Sequence, residues 1–462
     1  MIDFVRRRVT ACFLLFIVSV CAVNADPSLV ERLPENKMPG LVRILESAIL
    51  HSNDVRDRKL KERESYGVVE VGKSLLGPNL DVYAAYRGED EVSDLGSDWQ
   101  NRTIADVSLE QPIFHWGALA AELEFRELSY QAELDMSKLT VRNLSKAVRA
   151  KILDLAVRFI ELRKEEEALE LRRKDLNLQQ KRYESGLVSN DRMELIELQF
   201  SQVEIGVNRR KMNLDFTVED IARAYGLEAN ELVALLPKSI PKPDYLNDED
   251  FQLLESLVDT AIGANEGIRN FKAALEMERL SLKKVKKRHL PKLDFATGIT
   301  QNERDIDGRV REEQLLYAGL VVNWNIFDGR ETSGIKMSTL SRVQQRENAY
   351  RETKEAVARN YKRSIMRLRS SLKNLQIQET YLERSGKEYE QVAQNYELEK
   401  VSENELKKAS EVLLAKDTQT QRARVSYIND LVSLVSDLGF DPYVKRYASS
   451  QDVRLSNKYS GN

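Results

Sequence analysis

The side chains able to do chemistry in this chain are few, and they are badly spaced for it. His51, His115 and His289 are its only histidines, and none has a second ligand at a metal-binding interval. Both cysteines, Cys12 and Cys21, fall within the first 25 residues. There is no GxSxG elbow, no phosphate-cradling glycine loop, and no carboxylate pair that stands out from 74 scattered acids. The reading is a protein that is not an enzyme and carries no cofactor or metal. What remains is recognition chemistry at two sharp turns, Glu184 to Asn190 (ESGLVSN) and Glu397 to Asn404. Apolar Leu187, Val188 and Val401 sit there among charges, and a turn facing water is polar unless something docks on it.

Those turns are one feature met twice. An offset of 213 residues carries Pro78 onto Pro291, Leu80-Asp81 onto Leu293-Asp294, and Ile113-Phe114 onto Ile326-Phe327. It also carries Tyr183 onto Tyr396, Val188-Ser189 onto Val401-Ser402, and Gly226 onto Gly439. A repeat this long decides the architecture. Gly186 suits the positive φ of a helix-ending turn, and Ser189 or Asn190 suits the cap of a returning helix. The elements that hold the turns are long heptads. Leu134, Val141, Val148, Leu155, Leu162, Leu169, Leu176 and Tyr183 recur every seven residues, as do Tyr361, Leu368, Leu375, Leu382, Tyr389 and Tyr396. After each turn the period resumes, at Met193, Phe200, Val207, Leu214 and Ile221, and at Leu406, Leu413, Tyr427 and Leu434. Sustained heptads wind helices around neighbours. Gly117 to Tyr183 spans roughly 100 Å of helix, about three times a hydrocarbon core, and its charges place it in water beside a membrane.

Before each long helix the period is two. Leu80, Val82, Ala84 and Tyr86 alternate with Asp81, Tyr83, Ala85 and Arg87, and Leu293, Phe295, Thr297 and Ile299 with Asp294, Ala296, Gly298 and Thr300. Ala105, Val107, Leu109 and Ile113 form a second apolar set, copied by Ala318, Leu320, Val322, Trp324 and Ile326. These are four strands of eight to ten residues, each with one apolar and one polar face. A sheet in lipid must close, and four strands are too few, so several copies must pool them. The acidic stretch Gly88 to Asp98 reads as a solvated loop outside the cell. Trp116 and Trp324 suit an interfacial belt, and His115 suits a packed or interfacial position beside Trp116. Single helices are expected over Leu41–Lys73 and Phe251–Arg288.

Residues 1–25 read as a secretory signal: Arg6, Arg7 and Arg8, an apolar core from Ala11 to Val23, and Val23-Asn24-Ala25 before the cut. Val20 is a poor neighbour for lipid attachment at Cys21. Removing three arginines and one aspartate takes the net charge from −3 to −5. No half is strongly basic, so nucleic acid is not an expected partner. A mean hydropathy of −0.47 is compatible with barrel strands, which dilute their apolar content by alternation. The expected organisation is a signal peptide (1–25), an extended lead-in (26–40), a first repeat (41–227), a linker (228–250), a second repeat (251–439) and a polar tail (440–462).

In this order the segments resemble the TolC family of outer-membrane efflux proteins, over about Leu41 to Leu438. GPNLDVYAAY (77–86) and LPKLDFATGI (290–299) are similar to its first strand, and QPIFHWG (111–117) and NWNIFDGR (323–330) to its strand-to-helix junction. KRYESGLVSND (181–191) and QNYELEKVSEN (394–404) are similar to its helix-turn tips. The resemblance implies a mainly α chain with a β-barrel portion, in which long antiparallel helical hairpins build an α-barrel and four strands per chain close as a trimer. It implies a passive, gated exit duct from periplasm to exterior in tripartite efflux or type I secretion, set in outer-membrane lipid. Its partners would be two further copies, a periplasmic adaptor and an inner-membrane pump. It places a gate near Tyr183, Asp191, Arg192, Tyr396, Glu405 and Lys408. The expectation is an inverted closing pair, Arg192 facing Glu405 with Tyr396 donating a hydrogen bond; the alternative is that these are ordinary solvated tip charges. Gly186, Leu187, Val188, Ser189, Val401 and Ser402 are the expected adaptor-docking tips. A secreted periplasmic coiled-coil adaptor or scaffold is the alternative, although a scaffold has no use for doubled strands.

Overall fold

The computed structural model describes residues 27–93, 96–306 and 309–447, with side chains described except at 27–28, 89–100 and 304–311. The signal peptide, Cys21 and the Ala25–Asp26 boundary lie outside the described residues, as does 448–462 of the tail. In chain order the elements are α1 (Pro27–Glu31), α2 (Pro39–His51), α3 (Asn53–Ser74), β1 (Asn79–Ser93), β2 (Gly96–Phe114), α4 (Ala118–Glu184), α5 (Asn190–Tyr225), α6 (Ala229–Leu235), α7 (Asp248–Ala264), α8 (Glu266–Lys286), β3 (Lys292–Ile306), β4 (Arg309–Asn323), α9 (Glu331–Glu397) and α10 (Glu403–Asp437).

Both α4 and α9 run 67 residues without a proline, and their ends are 213 residues apart. The heptad positions account for their packing: Val141, Val148, Leu155 and Leu162 of α4 are buried, as are Tyr361, Leu368 and Leu375 of α9. Met193, Val207 and Leu214 of α5 and Tyr427 and Leu434 of α10 bury the complementary seams. Ion pairs Lys146–Asp437, Arg422–Glu161 and Lys164–Asp417 join α4 to α10, so the two helical hairpins stand side by side.

The four strands form one antiparallel sheet in the order β1-β2-β3-β4, although β2 and β3 are separated by a whole helical hairpin. The register gathers every apolar alternation onto one face. Leu80 pairs with Leu109, Val82 with Val107, Val107 with Ile299, and Ile299 with Leu316. Leu80, Val82, Leu316, Leu320 and Val322 are exposed on it. The opposite face carries Asp81, Asp106, Asp294, Asn302 and Asn323. A bulge between Pro112 and Phe114 sets Phe114 rather than Ile113 opposite Leu293.

The strands exceed the expected length. β1 and β3 have 15 residues and β2 has 19, so Gly88–Ser93 and Gly96–Asp98 belong to strands, not to a loop. At ~3.3 Å per residue, fifteen residues span roughly 50 Å, or about 38 Å along the normal at the usual barrel tilt. That overshoots a ~30 Å hydrocarbon core. The strand ends therefore extend past the length that an apolar layer would cover, and strand pairing there needs no apolar alternation.

Two expected helices are each divided. Ser52 and Asn265 are extended (ψ 124° and 121°), and their side chains cap α3 and α8 by accepting from Val55 N and Ile268 N. These breaks also fall at the repeat offset. Residues 26–40, read as extended, carry α1 and a 3₁₀ turn at Pro34–Asn36, with Leu29, Leu33 and Met38 buried. The linker contains α6 and buries Ile240 and Leu246, and residues 440–447 of the tail bury Phe440, Tyr443 and Tyr447. Together these segments form a belt against the middle of α4 and the C-terminal half of α10, and the main apolar core lies beneath it.

Candidate functional site

Each tip closes by the same backbone device. Leu187 N donates to Arg182 O and Gly186 N to Tyr183 O, both at 2.9 Å; at the second tip Lys400 N donates to Asn395 O (2.8 Å) and Glu399 N to Tyr396 O (2.9 Å). Gly186 takes φ 74° without cost, but its counterpart Glu399 holds φ 55° with a side chain. The returning helices start differently. Ser402 and Glu405 form a reciprocal capping box, with Glu405 N donating to Ser402 Oγ (3.3 Å) and Ser402 N to Glu405 Oε2 (3.0 Å). Arg192 stands at the matching place on the first tip. It cannot accept the returning bond, and Ser189 caps α5 without a side-chain hydrogen bond. Tyr183 Oη donates to Asn190 Oδ1 at 3.2 Å.

Arg192 and Glu405 are thus equivalent positions on two tips, and one chain does not bring them together. Among the described residues Arg192, Asp191 and Lys408 have no ion pair, and the Tyr396 hydroxyl and Glu405 Oε1 have no hydrogen-bond partner. Leu187 is 77% exposed, whereas Val188 and Val401 are half-buried, so the turn itself uses the valines. Leu398 is exposed beside the second tip, a residue that sequence reasoning missed because its counterpart, Ser185, is polar.

At the other end, strand passes to helix through two successive left-handed residues in each repeat, Trp116 with Gly117 and Gly329 with Arg330. His115 points to the polar face, where its Nε2 lies 2.6 Å from Asp294 Oδ1, and Asn323 Nδ2 donates to Asp294 Oδ2 at 3.4 Å. This is the packed role expected of His115. Phe114 and Trp116 meet edge-on at 4.8 Å on the apolar face. Trp116 Nε1 donates to Pro291 O (2.7 Å) and Trp324 Nε1 to His289 O (2.8 Å), so both indoles brace the entry to β3.

The belt is pinned by charges no periodicity foretold. Arg149, fully buried, donates to Glu35 (2.6 Å) and to Asp441 (2.7 Å), and Asp441 also accepts from Ser145 Oγ, Ser436 Oγ and Tyr443 N. Burial opposes charge on Asp441, but Arg149 and these donors hold its carboxyl below the ordinary aspartate value. The same carboxylates hold Arg149 above its ordinary value against the cost of burial. Arg142 and Glu266 form a second buried bidentate pair, at 2.6 and 2.8 Å.

A duplicated chain that carries an apolar-faced sheet on two very long helical hairpins has the layout of an envelope channel protein. The family model described as Outer membrane efflux protein matches residues 44–226 and 257–439, one match to each repeat, and the chain belongs to that family. Its place is the outer membrane and its role is that of an efflux exit duct, with the helices in the periplasm. The fold is shared with solved channels of low identity. The outer membrane protein VceC of Vibrio cholerae is 15% identical, with TM-score 0.67 over 87% of this chain and 97% of its own. The Campylobacter jejuni CmeC outer membrane channel is 13% identical, with TM-score 0.69 over 89% of each chain. The open state of the Neisseria gonorrhoeae MtrE channel is 14% identical, with TM-score 0.59 over 87% of this chain and 89% of its own. No curated protein sequence matches the chain.

Proposed function

We propose that three copies of this chain close one duct through the outer membrane, and that an adaptor joins its periplasmic end to an inner-membrane pump. The observation that carries the reading is the open sheet. Among the described residues β1 pairs only with β2 and β4 only with β3, while Leu80, Val82, Val107, Ile299, Leu316, Leu320 and Val322 of the apolar face are exposed. Unpaired edges in lipid cost several kcal/mol per backbone group, so β1 of one copy must meet β4 of the next. The helices make the same demand. Leu195, Leu198, Ile205, Met212 and Phe216 form a second, exposed seam on α5, away from the one buried against α4. A scaffold standing alone in the periplasm has no use for either surface.

The tips then alternate around the tunnel mouth, first-copy and second-copy. We infer that Arg192 of one tip meets the unengaged Oε1 of Glu405 on the neighbouring tip, with the Tyr396 hydroxyl donating to the same carboxylate. Tyr183, Asp191 and Lys408 line the constriction. Exposed Leu187, with Gly186, Val188 and Ser189 of its turn and Val401–Ser402 opposite, is the docking surface for the adaptor. The cargo is chosen by the pump. Native mass of the detergent-purified mature protein tests the assembly, and single-channel conductance in planar bilayers tests the duct. A stable monomer that inserts in no bilayer refutes the reading.

A further inference from the structure

The last turn of α8 and the segment entering β3 carry Lys283, Lys284, Lys286, Lys287 and Arg288. Lys284 pairs with Glu122, and Arg288 with Glu331 at 2.8 Å. The side chains of Lys283, Lys286 and Lys287 have no ion pair or hydrogen bond among the described residues. Spaced three and four apart, they share one helix face. A helix C-terminus favours some positive charge, and the first repeat shows how little this fold requires. There the same positions hold Glu70, Lys73 and Ser74, and Lys73 is neutralised by Glu70 at 2.8 Å. The second repeat carries cations that the chain's own packing leaves unused.

The repeat also tells which way they look. On α3, Lys59 lies 5.5 Å over the Tyr447 ring, and Tyr447 Oη donates to Glu62 at 3.3 Å. Tyr447 belongs to the belt, which must cover the outer side of the helical wall if the inside is to stay open. Lys272 of α8 takes the place of Lys59, and Lys286 lies two heptads further along that stripe. The lysine face therefore points outward. Immediately beyond it, the two indole N–H groups brace His289 O and Pro291 O from the apolar side of the sheet. Trp324, Ile326 and Phe327 are 57%, 72% and 79% exposed at the same level. Indoles and exposed apolar groups mark the edge of the hydrocarbon, so the lysines stand at the depth of the periplasmic headgroups.

We propose that Lys283, Lys286 and Lys287 bind anionic phospholipid headgroups of the periplasmic leaflet, with Trp116 and Trp324 seating the acyl side. The proposal rests on the membrane orientation inferred above. Its test is native mass spectrometry of the assembled mature protein released from vesicles of phosphatidylcholine alone or mixed with phosphatidylglycerol. The wild type should retain phosphatidylglycerol over phosphatidylcholine by roughly a hundredfold at low salt, fading at high salt. Lys283→Gln/Lys286→Gln/Lys287→Gln should lose most of that preference while keeping its oligomeric mass, and Lys387→Gln, a lysine on α9 paired with Glu383, should keep it. An unchanged preference in the triple variant overturns the proposal. So does a variant that retains lipid normally but no longer captures its adaptor, which would make the patch a protein contact. Glycerol 3-phosphate in solution should not displace the lipid; displacement would mean a soluble phosphate site instead. Failure to insert in either vesicle sinks the membrane reading itself, an outcome distinct from insertion without lipid preference.

Discussion

Replacing Arg149 by methionine should loosen the belt without disturbing the tunnel. The side chain has no exposed surface and donates to two carboxylates, at 2.6 Å to Glu35 and 2.7 Å to Asp441. Met fills similar volume but leaves both acids facing each other. Asp441 keeps its Ser145, Ser436 and Tyr443 donors, so its charge stays buried and uncompensated; Glu35, 8% exposed, must turn outward or protonate. Breaking one partner out of such a buried network costs about 3–5 kcal/mol. Because the site ties α4 to residues 440–447, the cost should appear as local opening, raising amide exchange at Tyr443 and Val444 by roughly 10²–10³·⁵ in the assembled protein. Lys146→Met, which removes a partly exposed pair with Asp437, should change it by less than about tenfold. The pH dependence carries the sign. In the wild type the Asp441 value is depressed, so its stabilisation is fully present above the unfolded aspartate range and is lost as pH falls through the lower folded value. In the variant the unpaired acids favour protonation, so its defect should shrink on going from pH 7 to pH 5. Exchange at 440–447 unchanged from wild type, or a defect that grows on acidification, would show that Arg149 does not hold these segments together.

Arg192→Glu should separate stability from gating. It supplies the missing acid of a capping box with Ser189 and favours the α5 dipole, worth about 0.5–1 kcal/mol, yet it sets two acids against each other at the proposed closure. Slower exchange at the start of α5 with a higher closed-state current is expected; an unchanged current removes Arg192 from the gate. Ile205→Asp, on the exposed α5 seam, should leave the monomer folded by circular dichroism but abolish the assembled mass. Retained assembly would mean that the seam faces solvent. Glu399→Gly removes a side chain from a left-handed residue and should stabilise the second tip by about 1 kcal/mol, read as reduced proteolysis there; a faster cut contradicts the strain.

The long helices were legible almost to the residue, because a heptad kept from Leu134 to Tyr183 admits no other structure and no proline interrupts it. The strands were legible only where their residues alternate, from Leu80 to Tyr86, Ala105 to Ile113, Leu293 to Ile299 and Ala318 to Ile326. Beyond those stretches the alternation stops, and Gly88–Ser93 reads as a loop although it pairs as a strand. The breaks at Ser52 and Asn265 were hidden because a capping residue inside a polar helix resembles any other polar residue until its side chain is seen to accept from the third amide along. Glu35, Arg149 and Asp441 lie far apart in sequence and obey no period, so only the packed belt reveals them. At the tips the sequence marks the turns but not their caps: Ser402 and Glu405 close a reciprocal capping box, whereas Arg192 at the matching place makes no ion pair among the described residues.

The duplication explains where function sits. A repeat supplies two copies of each element at nearly identical geometry, so in the proposed trimer three chains would approximate a sixfold tube, and what both copies share would serve that tube: Tyr183 and Tyr396, Val188 and Val401, the paired left-handed residues at the strand ends. A closed mouth or an oriented partner needs something a sixfold surface lacks, which is difference between alternate tips. The chain provides it at matched positions: Arg192 against Glu405, Gly186 against Glu399, exposed Leu187 against Lys400, and Glu70 against Lys283. Opposite charges on equivalent, alternating tips attract every neighbour equally, which closes a ring; like charges there would repel every neighbour and hold it open. Exchanging both residues, Arg192→Glu with Glu405→Arg, should therefore restore the low closed-state current that either single change loses, at the expense of the capping box on the second tip. A double exchange that leaks as much as the single variants would mean that these charges act only on their own helices.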